Sequence, residues 1–220
     1  MPITKRKPSY LAWLALLVSL SVLSESQLVM ADERSEQLAA AADNAELDGY
    51  RVEPVRVAPF QLQDHTGASF DRSRLEGRWH LLMFGFTNCP DICPLHLAFL
   101  NQTWQKLKAA GYGTDAMPQV VMVSVDPERD SLEHLASYVS HFNQTFLGVT
   151  GKPVEIKALE STLDTGHRLF SPGVDGNYDV MHGSSVYLID PQARVTARFR
   201  PPFKAQRIAA AYHRFSGKGS

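Results

Sequence analysis

The run Leu81-Leu82-Met83-Phe84-Gly85-Phe86 is apolar with no polar alternation, the pattern of a strand covered on both faces. After a polar break, Leu97, Leu100, Trp104 and Leu107 recur at spacings of three and four ahead of Gly111. That stripe predicts an amphipathic helix with a glycine stop. Val120-Val121-Met122-Val123-Ser124-Val125 repeats the buried-strand pattern. A helical crossover between two such strands predicts a parallel, right-handed βαβ unit. Upstream, residues 59–67 read as a strand entering a turn, and Phe70 opens a short return strand. Asp126-Pro127 ends the second buried strand, and Asp130 with Glu133 has the spacing of a capping box for a helix reaching about Phe142.

Farther along, residues 146–149 predict a short strand and Pro153 opens a helix to about Leu163. Gly173, Gly176 and Asn177 mark a loop before Tyr178. Residues 186–189 and 195–199 are strands about an Asp190-Pro191 turn, and a last helix runs from about Phe203 to Phe215. The order is a β-hairpin, then βαβα, an inserted strand and helix, then ββα. This predicts an α/β, thioredoxin-like fold with an N-terminal β-hairpin extension and an insertion before the last two strands. A shared fold does not by itself give function.

The N-terminus does not belong to that pattern. Lys5-Arg6-Lys7 precede a 13-residue apolar run, Leu11 to Leu23, interrupted only by Ser19 and Ser21, and Val29-Met30-Ala31 follows. A basic segment, an apolar segment and small residues before a cut describe a signal peptide. The run is short of the ~20 residues of a membrane span. The expected division is 1–31 signal peptide, 32–52 an acidic, Ala-rich linker, 53–216 the folded domain and 217–220 a tail. The rival is an uncleaved anchor holding the domain at the inner membrane, facing the periplasm. Cleavage would remove three positive charges and Glu25, taking the formal net charge from −1 to about −3. Neither balance suggests nucleic acid as a partner, and a monomer is expected.

Both cysteines of the chain, Cys89 and Cys93, lie at the strand-to-helix junction. Backbone N–H groups and the helix dipole there favour thiolate, and Pro94 is tolerated in a first turn. Placed at i and i+4 on one helical face, the two sulfurs can form a disulfide or share a soft metal ion. In an exported protein the disulfide is the default, so a role for thiolates needs a reductant or a metal. One bridge closing so small a loop adds little to a domain of this size.

A thioredoxin-type oxidoreductase carries Cys-x-x-Cys, whereas three residues separate the cysteines here. Such folds also place a cis-proline opposite the pair, near the position of Gly183 or Ser184, where this chain has none. His182 stands beside that spot instead. Two thiolates and an imidazole make a soft three-coordinate set suited to Cu(I) and adaptable to Cu(II). Zinc would ask for a fourth ligand or a water. His96, three residues beyond Cys93, competes as a ligand, and Met181 could offer a thioether; a polar helix residue and a packing methionine are their plainer readings. Asp91 and Asp126 are candidates for the outer surroundings of the site, against readings as a solvated carboxylate and a turn-forming Asp-Pro. The other six histidines show no ligand spacing. The basic run Arg198, Arg200, Lys204 and Arg207 reads as a solvated edge.

The segments Gly85-Phe86-Thr87-Asn88-Cys89-Pro90-Asp91-Ile92-Cys93-Pro94 and Val123-Ser124-Val125-Asp126-Pro127-Glu128-Arg129-Asp130 resemble the Sco/SenC family. So does His182 ahead of Val186-Tyr187-Leu188-Ile189-Asp190-Pro191. The resemblance implies copper bound by Cys89, Cys93 and His182. It also implies a role as metallochaperone, rather than turnover enzyme, in maturing the CuA centre of cytochrome c oxidase. The implied partner is the copper-bearing oxidase subunit, with exported copper carriers or thiol reductants beside it. A thiol-disulfide oxidoreductase using the Cys89–Cys93 pair, or a redox sensor, is the alternative. The family often has an acidic residue before the ligand histidine and Ser or Thr after it; Met181 and Gly183 stand there in this chain.

Overall fold

Every residue of strand β4 (His80–Gly85) is buried, as its unbroken apolar run requires. The computed structural model that shows this describes residues 33, 49–171 and 178–217. The expected leader, most of the linker, the loop glycines Gly173 and Gly176 with Asn177, and residues 218–220 lie outside the described residues.

Around β4 the chain builds an eight-stranded sheet. In chain order its members are β1 (Gly49–Arg56), β2 (Gln61–Asp64), β3 (Ser69–Asp71), β4, β5 (Gln119–Ser124) and β6 (Leu147–Thr150), with β9 (Val186–Ile189) and β10 (Arg194–Phe199) following a separate hairpin. Their spatial order is β1-β10-β9-β4-β5-β6-β2-β3. β4 runs parallel to β5 and antiparallel to β9, with Met83 opposite both Met122 and Val186. The parallel β4–β5 pair is joined by helix α1 (Ile92–Ala109), the expected crossover. Helices α2 (Leu132–Phe142), α3 (Pro153–Thr162) and α4 (Ala205–Phe215) complete a thioredoxin-like α/β domain. The N-terminal hairpin is present, with Leu62 paired to Phe70.

Helix α1 buries the predicted stripe: Leu97, Leu100 and Leu107 are fully buried, each contributing about 1.5–3 kcal/mol. It packs on α4, where Thr103 Oγ1 donates to Ala205 C=O at 3.4 Å. Cys93 and Pro94 lie in its first turn.

Three local expectations give way to the structure. The α2 cap is Ser131, whose side chain accepts from His134 N–H, and not Asp130, whose carboxylate is drawn elsewhere. A two-stranded antiparallel sheet, β7 (His167–Leu169) with β8 (Val180–His182), stands apart from the main sheet where only a loop was expected. Strand β1 begins at Gly49, ahead of the expected domain start at 53, because Gly49 to Arg51 pair with β10.

His80, 1% exposed at the head of β4, donates from Nδ1 to Arg78 C=O at 3.1 Å. Burial, helped by the Arg78 charge, pulls its pKa down to about 4. Below its unfolded value of ~6.5, the unfolded chain takes up a proton that the folded one refuses. Stability from this group is therefore complete above that value and is lost as pH falls toward 4. His80 alone should make the unfolding free energy about 2 kcal/mol lower at pH 5 than at pH 7, with buried His96, also held down to about 4, adding in the same direction. Urea unfolding of wild type and His80→Gln checks it: the variant should show the shallower pH slope, and equal slopes would remove His80 as the cause.

Candidate metal centre

The end of β4, the start of α1 and the end of β8 meet at one point. Cys89 Sγ, Cys93 Sγ and a ring nitrogen of His182 all lie within 4.8 Å of one another, the one such cluster of metal-binding side chains among the described residues. Cys93 Sγ is 3.4 Å from His182 Nε2. The opposite ring nitrogen, Nδ1, donates to Gly183 C=O at 3.0 Å, which leaves the Nε2 lone pair turned toward the sulfurs. The Phe86 ring meets the imidazole edge-on at 5.7 Å and limits its rotation.

The two cysteines are not equivalent. Cys93 is completely buried inside α1, whereas Cys89 precedes the helix and is half-buried. They therefore do not share a helical face as expected. Cys89 Sγ sits over the helix N-terminus and accepts Cys93 N–H at 3.4 Å. A hydrogen bond from the Cys93 thiol, aided by the backbone N–H groups of Cys93, Asp91 and Ile92, overcomes burial and brings Cys89 down to about 5. Cys93 is pushed up by the same hydrogen bond, by burial and by the Cys89 charge. Gly85 makes the room: a Cβ there would stand 3.0 Å from Cys93 Sγ.

A buried carboxylate holds the cysteine loop. Asp130, 1% exposed, accepts from Thr87 N–H at 3.0 Å, from Thr87 Oγ1 at 2.5 Å and from Ser124 Oγ at 2.5 Å. It ties the residue two before Cys89 to the end of β5. A second clamp holds the hairpin that carries His182. Tyr178 Oη donates to Asp126 Oδ1 at 2.6 Å, Arg129 Nε donates to Asp126 Oδ2, and the Arg129 guanidinium lies 3.8 Å from the Tyr178 ring centre.

Asp126 thus reaches the site through Tyr178 and contacts none of the three donors. Asp91 is exposed and makes no capping bond; only its backbone N–H bears on Cys89. His96 is not in the cluster: it is buried with its ring 4.5 Å from that of Phe203. Met181 is 61% exposed on the rim of a cleft of about 410 Å³ shared with Cys89, Arg129 and His182. A larger hollow of about 590 Å³, lined by Gln61, Asp130 and Lys152, has no sulfur or imidazole among its lining residues. Arg198 is not a free surface cation, since it donates to Ser185 Oγ and Asp164 C=O.

Two thiol sulfurs and an imidazole nitrogen facing one space form a soft, three-donor set, the chemistry of a copper(I) site. Tyr178 was missed in the sequence because its value lies in a contact with Asp126, 52 residues away, and Arg129 because it matters through the same distant ring. No spacing rule reports such contacts.

Comparison with known proteins agrees with this geometry. Protein SCO2 homolog, mitochondrial, of Homo sapiens is 31% identical over 203 residues, covering 92% of this chain and 69% of that one. Arabidopsis thaliana ScoI, solved with copper bound, matches with a TM-score of 0.65 at 30% identity, over 71% of this chain and 95% of that chain. BsSco, described as having a disulfide switch and as a member of the Sco family of cytochrome c oxidase assembly proteins, matches with a TM-score of 0.60 at 25% identity. That match covers 74% of this chain and 95% of that one. The SCO1/SenC family model spans residues 49–216, and the chain, with the fold and the Cys-Cys-His cluster in place, belongs to the SCO1/SenC family.

Proposed function

We propose that this protein is an exported copper-binding metallochaperone supporting assembly of the CuA centre of cytochrome c oxidase. Its cargo is one copper ion held by the sulfurs of Cys89 and Cys93 and by Nε2 of His182. The observation that carries this reading is the convergence of those three atoms within 4.8 Å from sites 89 residues apart in sequence. Copper bound in a relative of the same fold supports the choice of metal. The oxidase as client rests on kinship with BsSco, a member of the Sco family of cytochrome c oxidase assembly proteins.

The basic and apolar leader supports export to the periplasm, with the domain soluble after cleavage or held at the inner membrane without it. Among the described residues no helix is long and apolar enough to cross a membrane. The partner is the copper-bearing oxidase subunit. Cargo reaches Cys89 and His182 through the open cleft, while Cys93 lies behind them.

The second reading, thiol-disulfide exchange, is favoured by the split between a thiolate at Cys89 and a thiol at Cys93. Cys89 would attack a partner's disulfide, and Cys93 would then displace the partner, closing Cys89–Cys93 as the partner gains two electrons. His182→Ala separates the two roles. A copper carrier should lose most of its copper through desalting while the thiols still react with a disulfide probe within about threefold of wild type. Full copper retention in the variant would overturn the three-ligand site.

A further inference from the structure

The three donors come from two bodies. Both cysteines belong to the β4–α1 junction of the main domain, but His182 ends a small hairpin that is not part of the eight-stranded sheet. What docks that hairpin at its base decides where the imidazole stands. The register places His167 directly opposite His182. His167 Nδ1 donates to Glu160 Oε1 at 2.8 Å, and Glu160, on α3, is 2% exposed. The same residue's backbone C=O accepts Thr165 N–H at 3.1 Å, so α3 grips the chain on both sides of Gly166. Gly166 C=O in turn accepts Gly183 N–H at 3.2 Å. Gly183 allows this approach, because a Cβ there would fall on Thr165 Oγ1.

We propose that Glu160 is a positioning residue for His182: through His167 it fixes the base of the β7–β8 hairpin and so the distance from the imidazole to the two sulfurs. The inference rests on His182 being a copper ligand. A carboxylate buried this completely is costly unless it is hydrogen-bonded. Here the partner it holds is the residue paired with the ligand. The arrangement also accounts for Gly183 following the ligand: a hydroxyl-bearing side chain at that position would displace Thr165 and unseat the segment that Glu160 grips.

The test compares wild type, Glu160→Ala, Glu160→Gln and, as reference, His182→Ala. Copper(I) affinity is read by competition with a chromogenic chelator, and the copper(II) forms by electron paramagnetic resonance. Loss of an outer hydrogen-bond partner typically weakens metal binding by roughly 10–100-fold. Glu160→Ala should fall in that range and shift the copper hyperfine splitting. Glu160→Gln keeps an amide oxygen to accept from Nδ1 and should stay within about threefold of wild type. If Glu160→Ala does not fold, His167→Phe removes the donor while keeping the ring and should show the same loss. A merely structural role would lower the melting temperature and leave affinity and spectrum unchanged in the folded protein. That outcome overturns the proposal, as does Glu160→Gln failing as badly as Glu160→Ala. Wild-type affinity in His182→Ala would instead sink the ligand assignment beneath it.

Discussion

Cys93→Ser protein should leave desalting with almost no copper, although it folds. The substitution exchanges a soft thiolate donor for a hard hydroxyl of nearly the same shape. Cys93 is fully buried, with its sulfur against His182 Nε2 at 3.4 Å and Gly85 beneath it. Among the described residues no other Cys, His, Asp or Glu joins the cluster, so Cys89 and His182 alone remain. The loss should exceed the roughly 10–100-fold that removal of an outer partner costs. Metal content per folded chain, with circular dichroism to confirm the fold, measures it. Copper retained at one equivalent would mean that Cys93 is not a ligand.

Asp130→Ala should lower stability by about 3 kcal/mol, more than a typical point substitution. The carboxylate accepts from Thr87 N–H, Thr87 Oγ1 and Ser124 Oγ, all within 3.2 Å. Truncation leaves these donors without their acceptor, each at a cost of about 1–3 kcal/mol, partly relieved by rearrangement and by water from the hollow that Asp130 lines. Because Thr87 lies just ahead of Cys89, the cysteine loop should loosen together with the fold. Urea unfolding at neutral pH gives the number, and a loss under about 1 kcal/mol would show that the network is dispensable.

The elements that position the cysteines were legible because their physics is local. An unbroken apolar run in residues 81–86 has one economical solution, a strand covered on both faces, and β4 is that strand. The stripe of Leu97, Leu100 and Leu107 likewise describes the buried face of α1. The hairpin β7–β8 was not legible. His167, Arg168 and Leu169 alternate in no useful way and are largely exposed, and Met181 turns outward, so no periodicity marks either strand. Asp130 was misread because Asp130 and Glu133 mimic a capping box while Ser131 takes the cap. The true partners of Asp130 include Thr87, 43 residues away. His182 was placed opposite the cysteines by fold order and by resemblance, while the residues that hold it there, Tyr178, Arg129, Glu160 and His167, act through contacts that single-sequence patterns do not report.

X-ray absorption at the copper edge of the Cu(I)-loaded wild type reads the donor set directly. Two sulfur scatterers and one nitrogen, with the imidazole outer-ring signature lost in His182→Ala, is the predicted result. A first shell of sulfur alone, or one of nitrogen and oxygen that persists in Cys93→Ser, would contradict it.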